Sequence, residues 1–299
     1  MGVMDELKEW RVVELLKTTA DFFTTKNVDE PRTSSELLLG HVLSLSRLQL
    51  YLHHDRPVYQ EELDRFRKLC RQRLDGRPVQ YIIGEQYFYG LRFTVDERVL
   101  IPRPETELLV EYALASLGIP DRGSPAEAKV LDIGTGSGCI AVTMAKLCPA
   151  FKVTAVDCSP DALAVARENA ARHGVESQVT FALADMFDEL FAARLPESRY
   201  DLIVSNPPYI PRAEWEELQR EVRQYEPETA LTTPEGVECY KAIAALAPSL
   251  LVPGGRLCLE LHADGAAAVS EIMALHGFTG ITVSKDYSGF DRIISGSHG

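Results

Sequence analysis

Val130-Leu131-Asp132-Ile133 runs without a break into Gly134-Thr135-Gly136-Ser137-Gly138, and few folds accommodate such a junction. A short apolar run of this kind reads as a parallel strand buried on both faces. Alternate glycines then permit a tight turn and a close approach of backbone to a ligand. The residues after Gly138 read as a helix, whose first N–H groups lack intrahelical partners and can take ligand oxygens. The remaining chain repeats the strand–helix alternation. Strands are expected at Lys129–Ile133, Lys152–Asp157, Val179–Ala184, Asp201–Ser205 and Gly255–Leu261, with two more near Ile281–Lys285 and Arg292–Ser295. Helices are expected to begin near Ile140, Pro160, Trp215, Tyr240 and Ala263. That order predicts an α/β fold with a seven-stranded, mostly parallel, Rossmann-like sheet covered on both faces.

The chain has 299 residues, enough for an α/β domain of about 200 residues and a smaller one. Residues 1–83 read as the smaller, helical domain. Leu7, Trp10, Val13 and Leu16 recur at helical spacing, as do Leu37, Leu38, His41 and Val42. Pro31-Arg32-Thr33-Ser34-Ser35 reads as a turn and helix start. From Tyr59 to Leu74, Leu63, Phe66, Leu69, Cys70 and Leu74 share one side, and Arg65, Arg67, Lys68, Arg71 and Arg73 the other. That basic side is either a solvated face or a docking surface for an acidic or nucleic-acid partner. Residues 84–104 read as a joining β-hairpin and linker, with strands around a glycine turn in Tyr87-Phe88-Tyr89-Gly90-Leu91-Arg92-Phe93-Thr94-Val95. Pro102 and Pro104 bound a helix starting near Glu105, and residues 105–299 form the larger domain.

Composition excludes several classes. No run approaches the roughly 18 apolar residues of a membrane span, and the acidic, polar start is unlike a secretory signal. Glu6 breaks the myristoylation pattern opened by Met1-Gly2. Cys70, Cys139, Cys148, Cys158, Cys239 and Cys258 form no Cys-x-x-Cys pair, which suits a reducing cytoplasm. No His/Cys/Asp cluster has metal-ligand spacing, so no metal is expected. His53-His54 reads as surface or structural, and His173 as a helix end. Net charge is -13, of which residues 1–90 carry -1 and the remainder -12. A region this acidic is badly suited to wrapping a nucleic-acid backbone, so stable nucleic-acid binding is not expected.

The glycine loop gains meaning from its surroundings. Asp157 ends the next apolar strand, where a carboxylate can accept both hydroxyls of an adenosine ribose. An NAD site shares these features. However, Gly-Thr-Gly-Ser-Gly is not Gly-x-Gly-x-x-Gly, and Asp132 just ahead of the loop disfavours a pyrophosphate while suiting a cofactor that carries an ammonium group. Asp185, after the third strand, lies where an adenine amino group is read; its plainer reading is a helix N-cap. Met186 or Phe187 is placed to lie on the adenine face.

Asn206-Pro207-Pro208-Tyr209 follows the fourth strand, at the edge where open α/β sheets hold ligands. Asn206 offers a side-chain oxygen, and Pro207 keeps a carbonyl while lacking an N–H. Two acceptors can thus converge on an NH2 group, with Pro207-Pro208 stiffening the backbone and Tyr209 supplying a flat face. An amide nitrogen shares its lone pair strongly enough to give a rotation barrier of roughly 18–20 kcal/mol. Fixed acceptors favour the charge that develops as such a nitrogen attacks. With an activated methyl donor, alignment matters more than a strong base. Loop and tetrapeptide together indicate methyl transfer from S-adenosylmethionine to a poorly nucleophilic nitrogen.

The chain also resembles a known family, the bacterial release factor glutamine N5-methyltransferases. The resemblance rests on Tyr87-Phe88-Tyr89-Gly90, Ile101-Pro102-Arg103-Pro104-Glu105-Thr106-Glu107, Leu131 through Gly138, and Ser205 through Ile210. Tyr225-Glu226-Pro227 with Ala230-Leu231, and Asp286-Tyr287-Ser288-Gly289-Phe290-Asp291-Arg292, extend it over nearly the whole chain. It implies a class I methyltransferase sheet and S-adenosylmethionine held by Gly134, Thr135, Gly136, Ser137, Gly138, Asp157, Asp185, Met186 and Asn206, with an apolar contact from Met186. It implies Asn206, Pro207 and Tyr209 as catalytic residues and Asn206, Pro207, Pro208 and Tyr209 as the grip on the substrate amide, with Arg103 and Asp132 supporting. The substrate would be the Gly-Gly-Gln glutamine of class 1 peptide chain release factors, held partly by the N-terminal helices, and the enzyme a cytoplasmic monomer. One departure is the short Pro234-Glu235-Gly236 after Ala-Leu, where a glycine-rich stretch is usual; a slightly different loop is expected. The rival readings are an adenine-N6 methyltransferase acting on DNA or RNA and a non-catalytic translation-factor binding module.

Overall fold

A computed structural model describes residues 9–119 and 127–299, which form two compact units. The first extends to Gly84 and also takes in Gln219–Tyr225; the second comprises Glu85–Leu218 and Glu226–Gly299. Leu7, expected on the first helix, lies outside the described residues.

The first unit is built from the helices Val12–Thr25, Pro31–Leu43, Arg47–Leu52, Gln60–Leu74 and Val79–Ile83, and from the later short helix Arg220–Tyr225. Pro31 occupies the first helical position, as its fixed φ favours. The apolar stripe of the first helix is Val12, Leu15, Leu16, Thr19 and Phe23. The expected series through Trp10 and Val13 is therefore out of phase: Trp10–Arg11 is extended and pairs with Pro57–Val58, and Val13 faces solvent. On Gln60–Leu74 the apolar side packs inward as expected, but Arg73 is not on the solvated side. It is buried, donating to Ser34 Oγ, to the carbonyls of Asp29 and Arg77, and to the Glu221 carboxylate. A buried guanidinium persists where its donors find acceptors in this way, and the acid that neutralises it lies 148 residues away in sequence.

The second unit centres on a seven-stranded sheet: β1 (Lys129–Ile133), β2 (Lys152–Asp157), β3 (Val179–Leu183), β4 (Tyr200–Ser205), β5 (Leu251–Glu260), β6 (Phe278–Lys285) and β7 (Asp291–His298). Their order across the sheet is β6-β7-β5-β4-β1-β2-β3. All neighbours are parallel except β7, which is antiparallel to both β5 and β6. The chain begins at central β1, moves outward through β2 and β3, and crosses back to β4. The reversal leaves a crevice at the carboxyl ends of β1 and β4, the place where such sheets bind ligands. Val130, Leu131 and Ile133 are fully buried, each face of the sheet carrying its own apolar layer.

The hairpin Glu85–Phe88/Leu91–Thr94 belongs to this unit. It turns on Tyr89 and Gly90, both at positive φ, the backbone twist that two-residue hairpin loops favour. Phe88 and Phe93 join the core, and His173, at the end of the helix Pro160–His173, meets the Arg92 carbonyl through Nε2 at 2.9 Å. Around Trp215 the chain forms a 3-10 turn, Arg212–Glu217, in place of the expected helix. Glu214, Glu216 and Glu217 leave Ala213 and Trp215 as the apolar side chains there, too little for a buried helical stripe.

Candidate active site

Gly134, Gly136 and Gly138 adopt φ of +74°, +53° and +79°, a region costly for other residues. A side chain at Gly134 or Gly136 would meet nothing within 4 Å, so the loop is open on that side. At Gly138 a Cβ would stand 3.1 Å from that of Ala166, so this glycine also lets two helices pack closely. The amides of Gly134 and Thr135 donate to the Val156 carbonyl at 2.8 and 2.9 Å. Asp157 ends β2 and binds the loop directly: one oxygen accepts from the Gly136 amide at 2.9 Å, the other from the Ser159 amide at 2.9 Å. Burial pushes its carboxyl upward in pKa, and the amides of Ser159, Gly136 and Cys158 oppose that rise.

Asp132 lies on β1 with no exposure. Its Oδ2 accepts from the Thr135 hydroxyl at 2.7 Å, whereas Oδ1 is buried and has no hydrogen-bond partner. Burial raises its pKa to about 7; the Thr135 hydroxyl and the Ala141 amide pull it down and the Asp157 charge adds to the rise. A half-satisfied buried acid beside an open glycine loop fits a cationic group brought in with a ligand. An ammonium-bearing cofactor with a ribose therefore suits this donor set, and a pyrophosphate does not.

The tetrapeptide lies on the neighbouring strand. Asp132 pairs with Val204 across β1 and β4, and the Ser205 hydroxyl donates to the Ile133 carbonyl at 2.6 Å. Gly134 and Asn206 thus leave adjacent strands one residue beyond this tie, where strand spacing is about 5 Å. Asn206 Nδ2 donates to Thr106 Oγ1 at 3.1 Å, and the Thr106 hydroxyl donates to Glu260 Oε2 at 2.6 Å. The Tyr209 hydroxyl donates to the other oxygen of Glu260 at 3.1 Å. Pro207 is buried and Pro208 half-buried between them. Burial raises the Glu260 pKa to about 6, against the pull of the two hydroxyls and of Arg292, with Glu105 adding to the rise. Burial and Glu260 together hold the Tyr209 phenol protonated well beyond its ordinary range.

A second segment straps the tetrapeptide from outside. The Ile210 amide donates to the Leu231 carbonyl at 3.0 Å, and Ile210–Pro211 pairs with Thr232–Thr233. A Cβ on Gly236, which has φ +83°, would meet the Tyr209 carbonyl at 2.8 Å, so the Pro234-Glu235-Gly236 loop has a glycine where it touches the tetrapeptide. Arg103 donates to buried Glu226 at 2.6 Å, and Glu226 also accepts from the Ile101 amide at 3.2 Å. Asp185 stands apart from these bonds. It is exposed, and its carboxylate accepts from the Phe187 amide at 3.0 Å, closing a turn and not capping a helix. Met186 packs at the edge of the apolar layer that contains Leu131 and Ile133, while Phe187 is largely exposed.

Thr106, Glu226 and Gly236 lie in stretches quoted above but carry no individual role there, and Glu260 is not among them. Glu260 carried a signal: it follows Leu257-Cys258-Leu259 at the end of an apolar strand, as Asp132 interrupts one.

Residues 14–84 match the family model of the PrmC N-terminal domain, and residues 125–282 match that of a methyltransferase domain. A release factor glutamine methyltransferase of Chlorobaculum tepidum is 56% identical over 292 residues, spanning 98% of this chain and 99% of its own. Another, from Geobacter sulfurreducens, is 43% identical over 291 residues, spanning 97% and 98%. Among solved structures, a methyltransferase from Pyrococcus furiosus aligns with a TM-score of 0.51 at 20% identity, over 71% of this chain and 91% of its own, and bears on the fold alone. With relatives this similar over nearly its full length, the chain belongs to the release factor glutamine methyltransferase family.

Proposed function

We propose that this chain transfers a methyl group from S-adenosylmethionine to the side-chain amide nitrogen of the Gly-Gly-Gln glutamine in class 1 peptide chain release factors. The observation that carries the reading is the orientation of Asn206, whose Nδ2 is committed to Thr106, so that its Oδ1 is left to accept. Oδ1 and the Pro207 carbonyl take the two amide hydrogens in the plane of the substrate amide. The nitrogen lone pair then stands perpendicular to that plane. Tyr209, fixed through Glu260, offers its ring to the flat amide. The bound cofactor supplies an electrophilic methyl on a sulfonium. Gly134 through Gly138 with Asp157 hold its ribose end, Asp132 faces its ammonium group, and Asp185 and Met186 border its adenine. Arg103 acts through Glu226 to hold the Ile101–Arg103 segment. The first unit, with Arg65, Arg67, Lys68 and Arg71 on its exposed face, docks the release factor. Among the described residues no helix is long and apolar enough to cross a membrane, and the enzyme acts as a cytoplasmic monomer without stable nucleic-acid binding.

The test is direct. The enzyme is incubated with a labelled methyl donor and purified release factor or, separately, unmethylated DNA, and the label is located by mass spectrometry. Label on the Gly-Gly-Gln glutamine is expected; label on adenine would reverse the reading. Asn206→Ala should lower kcat by roughly 10²–10³-fold, the range for loss of one preorganised hydrogen-bonding group. Its cofactor affinity should fall only partly, as calorimetry would record.

A further inference from the structure

Three buried or half-buried polar groups stand in a row, and their hydrogen counts leave a single arrangement. A threonine hydroxyl has one proton, and an ionised carboxylate has none. Thr106 Oγ1 lies 2.6 Å from Glu260 Oε2, so the hydroxyl proton belongs in that bond. Thr106 can then only accept along its other short contact, at 3.1 Å to Asn206. The group that Asn206 turns toward Thr106 must therefore be its NH2. The opposite rotamer would set the Asn206 oxygen against lone pairs of Thr106. Thr106 and Glu260 are 2% and 1% exposed, so they lie away from bulk solvent, and a mismatched pair there is costly.

We infer that Glu260, acting through Thr106, is a positioning residue that sets the hydrogen-bond polarity of Asn206 and thereby makes the site select an amide over a carboxylate. The inference rests on the reading given under Proposed function. Oδ1 of Asn206 and the carbonyl of Pro207 form an acceptor pair. A glutamine amide meets that pair with two N–H groups, whereas a glutamate side chain of the same shape meets it with oxygens. Discrimination against an isostere that leaves buried groups mispaired is strong. Glu260 also accepts from Tyr209, so one carboxylate anchors both ends of the tetrapeptide.

Glu260→Gln breaks this logic without changing the side chain's shape. A glutamine there can donate to Thr106, which frees the Thr106 proton for Asn206 Oδ1 and lets the Asn206 NH2 face the substrate. Thr106→Val removes the hydroxyl at near-constant volume and serves as the second variant. Thr106→Ser keeps the hydroxyl and is the conservative rescue. Turnover is measured on unmethylated release factor, together with inhibition by the release factor whose Gly-Gly-Gln glutamine is replaced by glutamate. Melting temperature and cofactor affinity are recorded for every variant. For Glu260→Gln and Thr106→Val, kcat should fall by about 100-fold, as misalignment of reacting groups predicts, with KM changed little. The ratio of the glutamate-bearing inhibitor's Ki to the substrate's KM should fall at least tenfold, while Thr106→Ser stays near wild type in both. Unchanged discrimination in well-folded variants would overturn the inference. Failure of the wild-type enzyme to label the glutamine at all would instead remove the underlying assignment of function.

Discussion

Asp132 is the residue whose chemistry is most exposed to test. Burial raises its carboxyl pKa to about 7, so that it carries a proton more readily near neutral pH than an ordinary aspartate does. Since the folded pKa lies above the unfolded one, its contribution to stability is full below the unfolded value of 3.8 and is lost as pH rises through about 7. An ammonium group placed at Oδ1 reverses the balance and lowers the pKa. Cofactor binding near pH 7 should therefore be accompanied by net proton release. Calorimetry in two buffers of different ionisation enthalpy reads that release directly, and it should vanish in Asp132→Asn. At this scale the sequence was readable where backbone demands are strict. Gly134 and Gly136 take the positive φ that a tight turn after a strand requires, which tolerates few alternatives. Thr106 was not readable, because its role depends on Glu260, 154 residues later, and nothing local marks a threonine as a relay.

Among elements, the helix Pro160–His173 organises more than its amphipathic pattern suggests. Asn169, wholly buried, accepts from the Thr94 amide at 2.7 Å and donates to the carbonyls of Thr94 and Ser137 at 3.0 and 2.9 Å. One side chain thus fastens the hairpin arm Leu91–Thr94 and the glycine loop to the same helix. Asn169→Leu leaves three backbone groups without partners and should cost about 2–4 kcal/mol. For a protein of this size that predicts a melting point lower by roughly 3–6 °C. Cofactor affinity should weaken as well, because Ser137 loses its anchor; an unchanged affinity at a lowered melting point would uncouple the two. The strands were legible to within a few residues because parallel strands buried on both faces are continuous apolar runs. Strand order was not, since hydropathy does not say that β4 returns to the side of β1 opposite β2. The basic side of Gln60–Leu74 misled at Arg73, because periodicity places a residue on a face without revealing which distant acid comes to meet it.

For the whole molecule, charge and chain path set different limits. Most of the net charge of -13 falls beyond residue 90, so duplex DNA should not be retained at physiological salt, and binding that weakens steeply with added salt would contradict this. Helical spacing is expected up to residue 83, a joining hairpin over 84–104, and strand–helix alternation from about residue 125. The membership of Gln219–Tyr225 in the first unit was not visible, since it depends on pairs such as Arg73 with Glu221 and Arg220 with the Asp75 carbonyl. A chain shortened to begin at Glu85 should show protease cleavage within 219–225 that the full chain resists.

The polypeptide therefore passes from one unit to the other three times, after Gly84, after Leu218 and after Tyr225. A relative could not acquire a new specificity module here by simple fusion at its front end. Any recombination that exchanged residues 1–84 alone would strand a seven-residue tenant, 219–225, among foreign neighbours.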